Sequence, residues 1–253
     1  MKLIKPEWFK QKIQATPEGR NVRELLKKLR LNTVCCEALC PNRNSCYAEG
    51  TATFLVLGNV CTRNCRFCGI ESGFPLPVES DEPERVARAV SGMGLSHVVV
   101  TSVTRDDLPD GGAAHFAAIV RAVREYSPFA SVELLIPDFA GNAEALEVVL
   151  DAKPDVLNHN IETIPDFYSE LRPGADYLRS LEILAKAKEN GLITKSGMML
   201  GFGESQEQII GTLNDLAAVE IDILTIGQYL RPGENHYPVA RYLPPEECDS
   251  TAN

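Results

Sequence analysis

Long hydrophobic runs are missing from this chain of 253 residues. A helix that crosses a bilayer needs roughly 18–20 apolar residues in succession, and no run approaches that length. The segment from Met1 to Pro6 lacks the apolar core of a secretion signal, because lysines and a proline interrupt it. We therefore expect a cytoplasmic protein that has no membrane partner.

Basic residues are also scarce relative to acidic ones. The chain has 25 lysines and arginines against 35 aspartates and glutamates, so its formal net charge is −10. Proteins gain most of their affinity for nucleic acids by placing Lys and Arg on phosphates. This balance therefore argues against a nucleic-acid partner.

Cysteine, by contrast, is abundant and concentrated in one region. Seven of the eight cysteines lie between Cys35 and Cys68. A secreted disulfide-bonded domain would be smaller and would spread its cysteines along the chain. In a cytosolic enzyme this crowding indicates a metal or cluster site.

Apolar segments typical of β-strands alternate with helical patterns from residue 52 onward. The predicted strands are Thr53–Leu57, His97–Thr101, Ser131–Ile136, Asp155–Asn160, Thr194–Leu200 and Asp222–Gly227, and the predicted helices cover roughly 83–92, 112–126, 142–151, 176–190 and 205–219. Such alternation predicts a parallel sheet with right-handed crossovers. No glycine-rich dinucleotide loop follows the first strand, which favours a barrel over a doubly wound sheet. We predict an α/β fold, a partial TIM-like (β/α)6 barrel, whose chemistry lies on loops after the strands.

The region before the barrel is expected to be different in character. Residues 21–31 have the apolar spacing of a helix, and residues 35–50 have the composition of an irregular cysteine-rich loop. The predicted boundaries are an N-terminal extension at 1–50, the barrel at 51–247 and a short tail at 248–253.

Cys61, Cys65 and Cys68 form a C-x3-C-x2-C group directly after the first predicted strand. Three thiolates on a short loop can hold three irons of a cubane cluster and leave the fourth iron open for a ligand. The alternatives are a zinc knuckle, although structural zinc needs four ligands, and three reduced buried thiols.

With Phe67 before the last cysteine, the group resembles the radical S-adenosylmethionine superfamily. The resemblance implies that the open iron binds S-adenosylmethionine. A reduced cluster then cleaves this cofactor to a 5′-deoxyadenosyl radical that abstracts hydrogen from unactivated carbon.

Cys35, Cys40 and Cys46 form a second group, C-x4-C-x5-C, shortly before the first. The combination resembles the lipoyl synthases, in which the second group holds an auxiliary four-iron cluster that is consumed as the sulfur source. Cys36 stands where that family usually has an acidic residue, so we interpret it as a non-ligand. A second zinc site is the alternative reading of this group.

Further stretches between about residues 21 and 247 carry the same resemblance. They are Thr101–Gly112, Asn158–Thr163, Leu171–Tyr177, Lys195–Gly201 and Gly227–Pro232. Because each follows or ends a predicted strand, Asn160, Glu162 and Arg172 are candidates for binding S-adenosylmethionine. The amide and carboxylate suit its amino and ribose groups, and the guanidinium suits its carboxylate. Strand capping is the alternative role for all three.

Other polar residues near the predicted strand ends leave two roles open. Arg105, Asp106 and Asp107 could form an ion-pair network that holds their loop, or they could contact a ligand. Lys195 lies within the fifth predicted strand, where an unpaired charge would be costly.

The resemblance implies an enzyme that inserts sulfur at C6 and C8 of an octanoyl group on a carrier-protein lysine. Its cofactors would be two [4Fe–4S] clusters and S-adenosylmethionine. The carrier would be the lipoyl domain of a 2-oxoacid dehydrogenase or the glycine-cleavage H protein. A one-electron donor such as ferredoxin or flavodoxin would supply the electrons.

The sequence departs from the family pattern in a second respect. Lipoyl synthases carry an Arg-Ser-Ser-Tyr segment whose serine is the fourth ligand of the auxiliary cluster, and residues 247–253 contain no such motif. An auxiliary cluster without that ligand would be open to water and thiols. Three alternatives therefore remain: a catalytically impaired cluster-binding scaffold, another radical sulfur-inserting enzyme, and a zinc-binding structural protein.

Overall fold

A seven-stranded sheet forms the centre of the structure, a computed structural model that describes residues 6, 16–37, 40, 42–48 and 52–244. The strands are β1 (Asn32–Thr33), β2 (Thr53–Val56), β3 (Val60–Cys61), β4 (Glu71–Ser72), β5 (His97–Ser102), β6 (Ser131–Leu135), β7 (Val156–Asn158), β8 (Ile193–Leu200) and β9 (Ile223–Gln228). The order in the large sheet is β1-β2-β5-β6-β7-β8-β9, and β3 and β4 form a separate pair. All neighbours from β2 to β9 are parallel, as predicted.

Helices connect the parallel strands on one side of the sheet. They are α1 (Pro17–Lys28), α2 (Val34–Glu37), α3 (Arg43–Ala48), α4 (Glu82–Met93), α5 (Ala113–Tyr126), α6 (Ala143–Asp151), α7 (Tyr168–Leu171), α8 (Tyr177–Glu189) and α9 (Gln206–Ala218). The five predicted crossover helices correspond to α4, α5, α6, α8 and α9. No described helix is long and apolar enough to cross a bilayer.

The sequence signals for helix starts act through side-chain caps. Asp176 accepts a hydrogen bond from Arg179 N at 2.8 Å, which satisfies one free N–H at the start of α8. Ser205 and Gln208 form a reciprocal capping box at the start of α9. Thr16 caps α1 four residues earlier than the apolar spacing predicted, because its hydroxyl accepts from Gly19 N at 3.1 Å.

The core lies between the helices and the face of the sheet that they cover. Val98 and Val100 of β5 and Val132 and Leu134 of β6 are completely buried on that face. The opposite face lines the inside of the partial barrel. There the strand register aligns one row across the sheet, namely Leu55, Thr101, Leu135, Asn158, Lys195 and Ile223.

The segment before the barrel joins the sheet at its β2 edge. β1 pairs antiparallel to β2, with Asn32 opposite Leu55 and Thr33 opposite Phe54. Arg85 of α4 donates to Leu29 O at 3.0 Å and Arg30 O at 2.7 Å, which fixes the end of α1. The prediction that residues 35–50 are wholly irregular is wrong, since α2 and α3 lie there. The domain boundaries stay a prediction, and the tail at 248–253 lies outside the described residues.

Candidate cluster and cofactor site

The first cysteine group occupies the loop that follows β2. Cys61 ends β3, and its carbonyl accepts from Gly73 N at 2.9 Å after the chain returns through β4. Cys68 N donates to Cys65 O at 3.0 Å, which makes a tight turn between the last two cysteines. The charges of Cys68 and Cys61 raise the pKa of Cys65, and the charge of Cys61 raises the pKa of Cys68, so the loop brings the three sulfurs together in space.

The environment of these sulfurs suits thiolates that ligate iron. Cys61 Sγ accepts from Arg63 N at 3.4 Å and from Thr104 N at 3.3 Å. Burial raises the pKa of Cys65 to about 12 and that of Cys68 to about 11, so both free thiols are protonated at neutral pH. Binding iron must therefore release these protons, and the backbone N–H groups then stabilise the negative sulfur.

Buried ion pairs anchor the loop to the ends of β5 and β6. Arg63 donates to both oxygens of Asp106, at 2.7 and 2.8 Å, and lies 2.7 Å from Asp138 Oδ1. Asp138 also accepts from Arg179 at 3.0 Å, and its side chain is 1% exposed. The bidentate pair with Asp106 and the buried pair with Asp138 both have strict geometry, so they fix the loop relative to the sheet.

Arg105 and Asp107 form a second ion pair beside the same loop. Arg105 donates to the two oxygens of Asp107 at 2.8 Å each and to Leu57 O at 3.0 Å. Of the two roles that the sequence left open for this charged cluster, these contacts support the ion-pair network.

The segment after β9 packs on the cysteine loop. His236 Nε2 lies 2.9 Å from Cys68 O, and Tyr237 N donates to Arg66 O at 2.8 Å. Phe67 contacts Phe202, with ring centroids 6.4 Å apart. Sequence reasoning missed the contacts of His236, Tyr237 and Phe202. Single residues in loops carry no periodic or spacing signal that could have revealed them.

The second cysteine group lies beside the β2 edge. Burial raises the pKa of the Cys35 thiol, the N–H of Thr53 opposes this, and the charges of Cys40 and Cys46 raise it further. The three cysteines therefore lie near one another. Cys36 contacts Tyr47 OH at 3.5 Å and lines a separate small pocket with Tyr47. The interpretation of Cys36 as a non-ligand stays a prediction.

One cavity of about 690 Å³ connects the two cysteine groups. Cys40 from the second group and Cys68 from the first both line it. Its apolar walls include Leu55, Leu135 and Met199. A volume of this size is in the range of small-molecule sites.

Two of the three predicted cofactor residues, Asn160 and Glu162, also line this cavity. Glu162 has φ = +65°, a conformation that is strained for a residue with a side chain. Burial raises the pKa of its carboxyl, which Arg172 and a hydrogen bond from Asn160 oppose. Strain and desolvation together are common at functional sites.

Arg172 binds the backbone of the loop that carries Asn160 and Glu162. Its Nη1 donates to Asn160 O at 3.0 Å, to Ile161 O at 3.1 Å and to Tyr168 OH at 2.7 Å. Its charge also opposes the rise that burial causes in the pKa of Cys65 and of Glu162. The guanidinium thus stabilises the negative forms of groups on both sides of the loop.

The donor set of each cysteine group is chemically suited to an iron–sulfur cluster. Within the part of the chain that the structure describes, no three His, Cys, Asp or Glu side chains converge on one metal position. In a cubane each thiolate binds a different iron, so the sulfurs lie further apart than the ligands of one ion. All-thiol groups with N–H donors to sulfur are what such clusters need.

Comparison with known proteins defines the class. A family model described as the radical SAM superfamily matches residues 55–216. SuiB from Streptococcus suis bound to S-adenosylmethionine has a TM-score of 0.62 at 14% identity, covering 83% of this chain and 50% of that one. Methylornithine synthase has a TM-score of 0.59 at 16% identity, covering 90% and 64%. The chain therefore belongs to the radical SAM superfamily, and the predicted partial barrel is confirmed.

Curated relatives narrow the class to one family. Lipoyl synthase from Caldanaerobacter subterraneus subsp. tengcongensis is 53% identical over 249 residues, which cover 98% of this chain and 87% of that protein. That of Chlorobium phaeovibrioides is 53% identical over 251 residues, covering 98% and 88%. Within the superfamily the chain is a member of the lipoyl synthases. It is a radical enzyme that inserts sulfur into a carrier-bound octanoyl group, and it uses S-adenosylmethionine and a [4Fe–4S] cluster.

Proposed function

We propose that each cysteine group binds one [4Fe–4S] cluster and that the octanoyl chain enters the cavity between them. Cys61, Cys65 and Cys68 bind the cluster that holds S-adenosylmethionine, and Cys35, Cys40 and Cys46 bind the auxiliary cluster. The observation that carries the proposal is the single cavity lined by both Cys40 and Cys68. Sulfur insertion needs the radical source and the sulfur source to face the same carbon chain.

When bound, the two clusters and S-adenosylmethionine supply one-electron reduction, a carbon radical and the inserted sulfur. The chain's own residues bind and orient. Asn160 and Glu162 bind the amino and ribose groups of the cofactor, and Arg172 is the proposed partner of its carboxylate. The apolar side chains of Leu55, Leu135 and Met199 exclude water from the reacting carbons.

The partners follow from the same proposal. The octanoyl group is carried by the lipoyl domain of a 2-oxoacid dehydrogenase or by the glycine-cleavage H protein, and ferredoxin or flavodoxin delivers the electrons. Reduced cysteine thiols and soluble one-electron donors are typical of the cytoplasm, so we propose that the protein acts there.

Iron quantitation on anaerobically reconstituted protein tests the two ligand sets. Wild type should hold about eight irons per chain, as two cubanes require. One variant replaces Cys61, Cys65 and Cys68 by alanine, and it should retain about four irons per chain. A second variant replaces Cys35, Cys40 and Cys46 by alanine, and it should also retain about four. Cys36→Ala is the matched control and should keep about eight.

The same variants separate the two steps of the reaction. The Cys35/Cys40/Cys46 variant should still cleave S-adenosylmethionine to 5′-deoxyadenosine but add no sulfur to an octanoylated peptide, as mass spectrometry would show. The Cys61/Cys65/Cys68 variant should do neither. Sulfur addition by the first variant, or zinc in place of iron in the wild type, would contradict the proposal.

A further inference from the structure

An ion pair lies inside the partial barrel, away from both cysteine groups. Lys195 Nζ is 2.9 and 3.1 Å from the two carboxylate oxygens of Glu133, whose side chain is 4% exposed. Asn158 Nδ2 donates to Glu133 Oε1 at 2.7 Å, and His97 Nε2 lies 3.3 Å from Oε2. Desolvating two charges costs several kcal/mol each. The cluster chemistry proposed above assigns them no role.

One further polar atom belongs to the same group. Asn158 is 5% exposed, and its Oδ1 is buried with no hydrogen-bond partner among the described residues. Glu133, Asn158 and Lys195 together form what we call the polar floor. The side chains of Glu133 and Lys195 are 4% and 22% exposed, so contact with hydrocarbon would remove the hydration that the lysine still has.

The strand geometry places the polar floor beneath the cavity. Glu133 precedes Leu135 by two residues in β6, and Lys195 precedes Met199 by four in β8. Residues two apart on a strand share a face, and two residues span about 7 Å. Since Leu135 and Met199 line the cavity, Glu133 and Lys195 lie deeper on the same face, towards the amino ends of the strands.

Two polar side chains pack over Gly197, which lies midway between Lys195 and Met199. A Cβ there would come within 2.7 Å of Asn160 Oδ1 and 2.9 Å of Thr225 Oγ1, so these atoms occupy the layer between floor and cavity. An acyl chain that passes the apolar walls therefore next meets amide and hydroxyl groups, with the ion pair beneath them.

We propose that the polar floor is the stop that sets acyl chain length, a role that rests on the proposed function of the cavity. The carbons that receive sulfur, C6 and C8, are at the methyl end of an octanoyl chain. A longer chain would have to displace the side chains of Asn160 and Thr225 and press methylenes against Glu133 and Lys195. That contact would strip the pair of its remaining solvation or break its hydrogen bonds. The floor thereby positions C6 and C8 at the level of the radical source.

Binding of acylated peptides to the reconstituted holoenzyme with S-adenosylmethionine tests this role. Fluorescence anisotropy would compare octanoyl-lysyl and decanoyl-lysyl peptides of the same sequence. The wild type should bind the octanoyl peptide at least tenfold more tightly. Equal binding of the two peptides by the wild type would overturn the proposal without any variant.

Two variants distinguish charge from shape. Glu133→Leu with Lys195→Met replaces the ion pair by apolar groups, a change that buried pairs often tolerate. The preference of this variant for the octanoyl peptide over the decanoyl peptide should fall below threefold. The reversed pair, Glu133→Lys with Lys195→Glu, keeps the charges and should retain the wild-type preference.

The outcomes of these experiments distinguish failure of this inference from failure of the proposed function on which it rests. A preference that persists in the apolar variant, or vanishes in the reversed pair, would overturn the polar stop while octanoyl binding remains intact. If the wild type bound neither peptide, the assignment of the cavity itself would be wrong, and the inference with it.

Discussion

His159 is buried beside the positive charge of Arg172 at the end of β7. It is 1% exposed, with Nδ1 2.8 Å from Ile136 O and Nε2 3.0 Å from Ser180 Oγ. Burial, followed by the charge of Arg172, lowers its pKa to about 4. The folded protein therefore keeps this ring neutral, whereas an unfolded chain protonates it near pH 6.5.

The stability of the protein should consequently fall as the pH drops from 6.5 towards 4. In this window the unfolded state binds more protons than the folded state, so the free energy of unfolding rises with pH. We expect His159 to make the protein about 2 kcal/mol less stable at pH 5 than at pH 7. Urea unfolding at both pH values measures the difference. In His159→Gln the pH dependence should be smaller by that amount, and an unchanged slope would refute the assignment.

The ion pair of the polar floor gives a second prediction for single residues. Lys195→Met leaves the Glu133 carboxylate buried without its cation, and this should lower the free energy of unfolding by about 3–5 kcal/mol. Denaturant unfolding should show this loss as a lower transition midpoint with an unchanged m-value. Arg88→Met is the matched control, because Arg88 and its partner Glu84 are both about half exposed and solvated ion pairs contribute little to stability. Equal effects of the two substitutions would count against a buried charge.

Among the structural elements, the loop that carries the first cysteine group depends most on contacts outside itself. Arg63 ties it to Asp106 and Asp138, which follow different strands. The loop has little regular structure of its own beyond the short β3 and β4 pair. Its cysteines keep their mutual arrangement only while these long-range ion pairs hold.

Removing the anchor should therefore loosen the cluster. Arg63→Met should release iron to a chelator at least several-fold faster than wild type, since the loop can then open. Absorbance of the iron–chelator complex follows the release. Arg66→Met is the control, because Arg66 and Glu170 form an ion pair whose side chains are 45% and 47% exposed. A release rate equal in both variants would argue against Arg63 as the anchor.

At the scale of the whole molecule, the helix-covered face of the sheet is more deeply buried than the two cysteine segments. Val98, Val100 and Leu134 are completely buried between sheet and helices. The cysteine segments are partly exposed and join through loops. Regions with few buried apolar contacts open at lower free energy than the core.

Removal of both clusters should thus affect the segments at 34–48 and 58–72 and leave the sheet intact. Hydrogen–deuterium exchange with mass spectrometry should show faster exchange in these segments, because binding to iron stabilises their folded geometry. Exchange in β5 and β6 should not change. Unfolding of the whole chain on cluster loss would show instead that the fold depends on iron.

Much of this architecture follows from local properties of the sequence. Apolar periodicity and caps such as Asp176 specify the strands and crossover helices. These elements could therefore be predicted, with their ends correct to within a few residues. β1 was missed because two residues carry no alternation. The cysteine ligand candidates could be found because their spacing within one loop already limits which groups they can bind.

The parallel barrel and the two groups of three cysteines could be predicted from the sequence, because both depend on neighbours along the chain. The partners of the isolated polar residues became visible only in the folded structure. Lys195 meets Glu133 across 62 residues, and His236 meets the Cys68 carbonyl across 168. Such contacts depend on how strands and loops converge in space, and local propensity contains no information about that convergence.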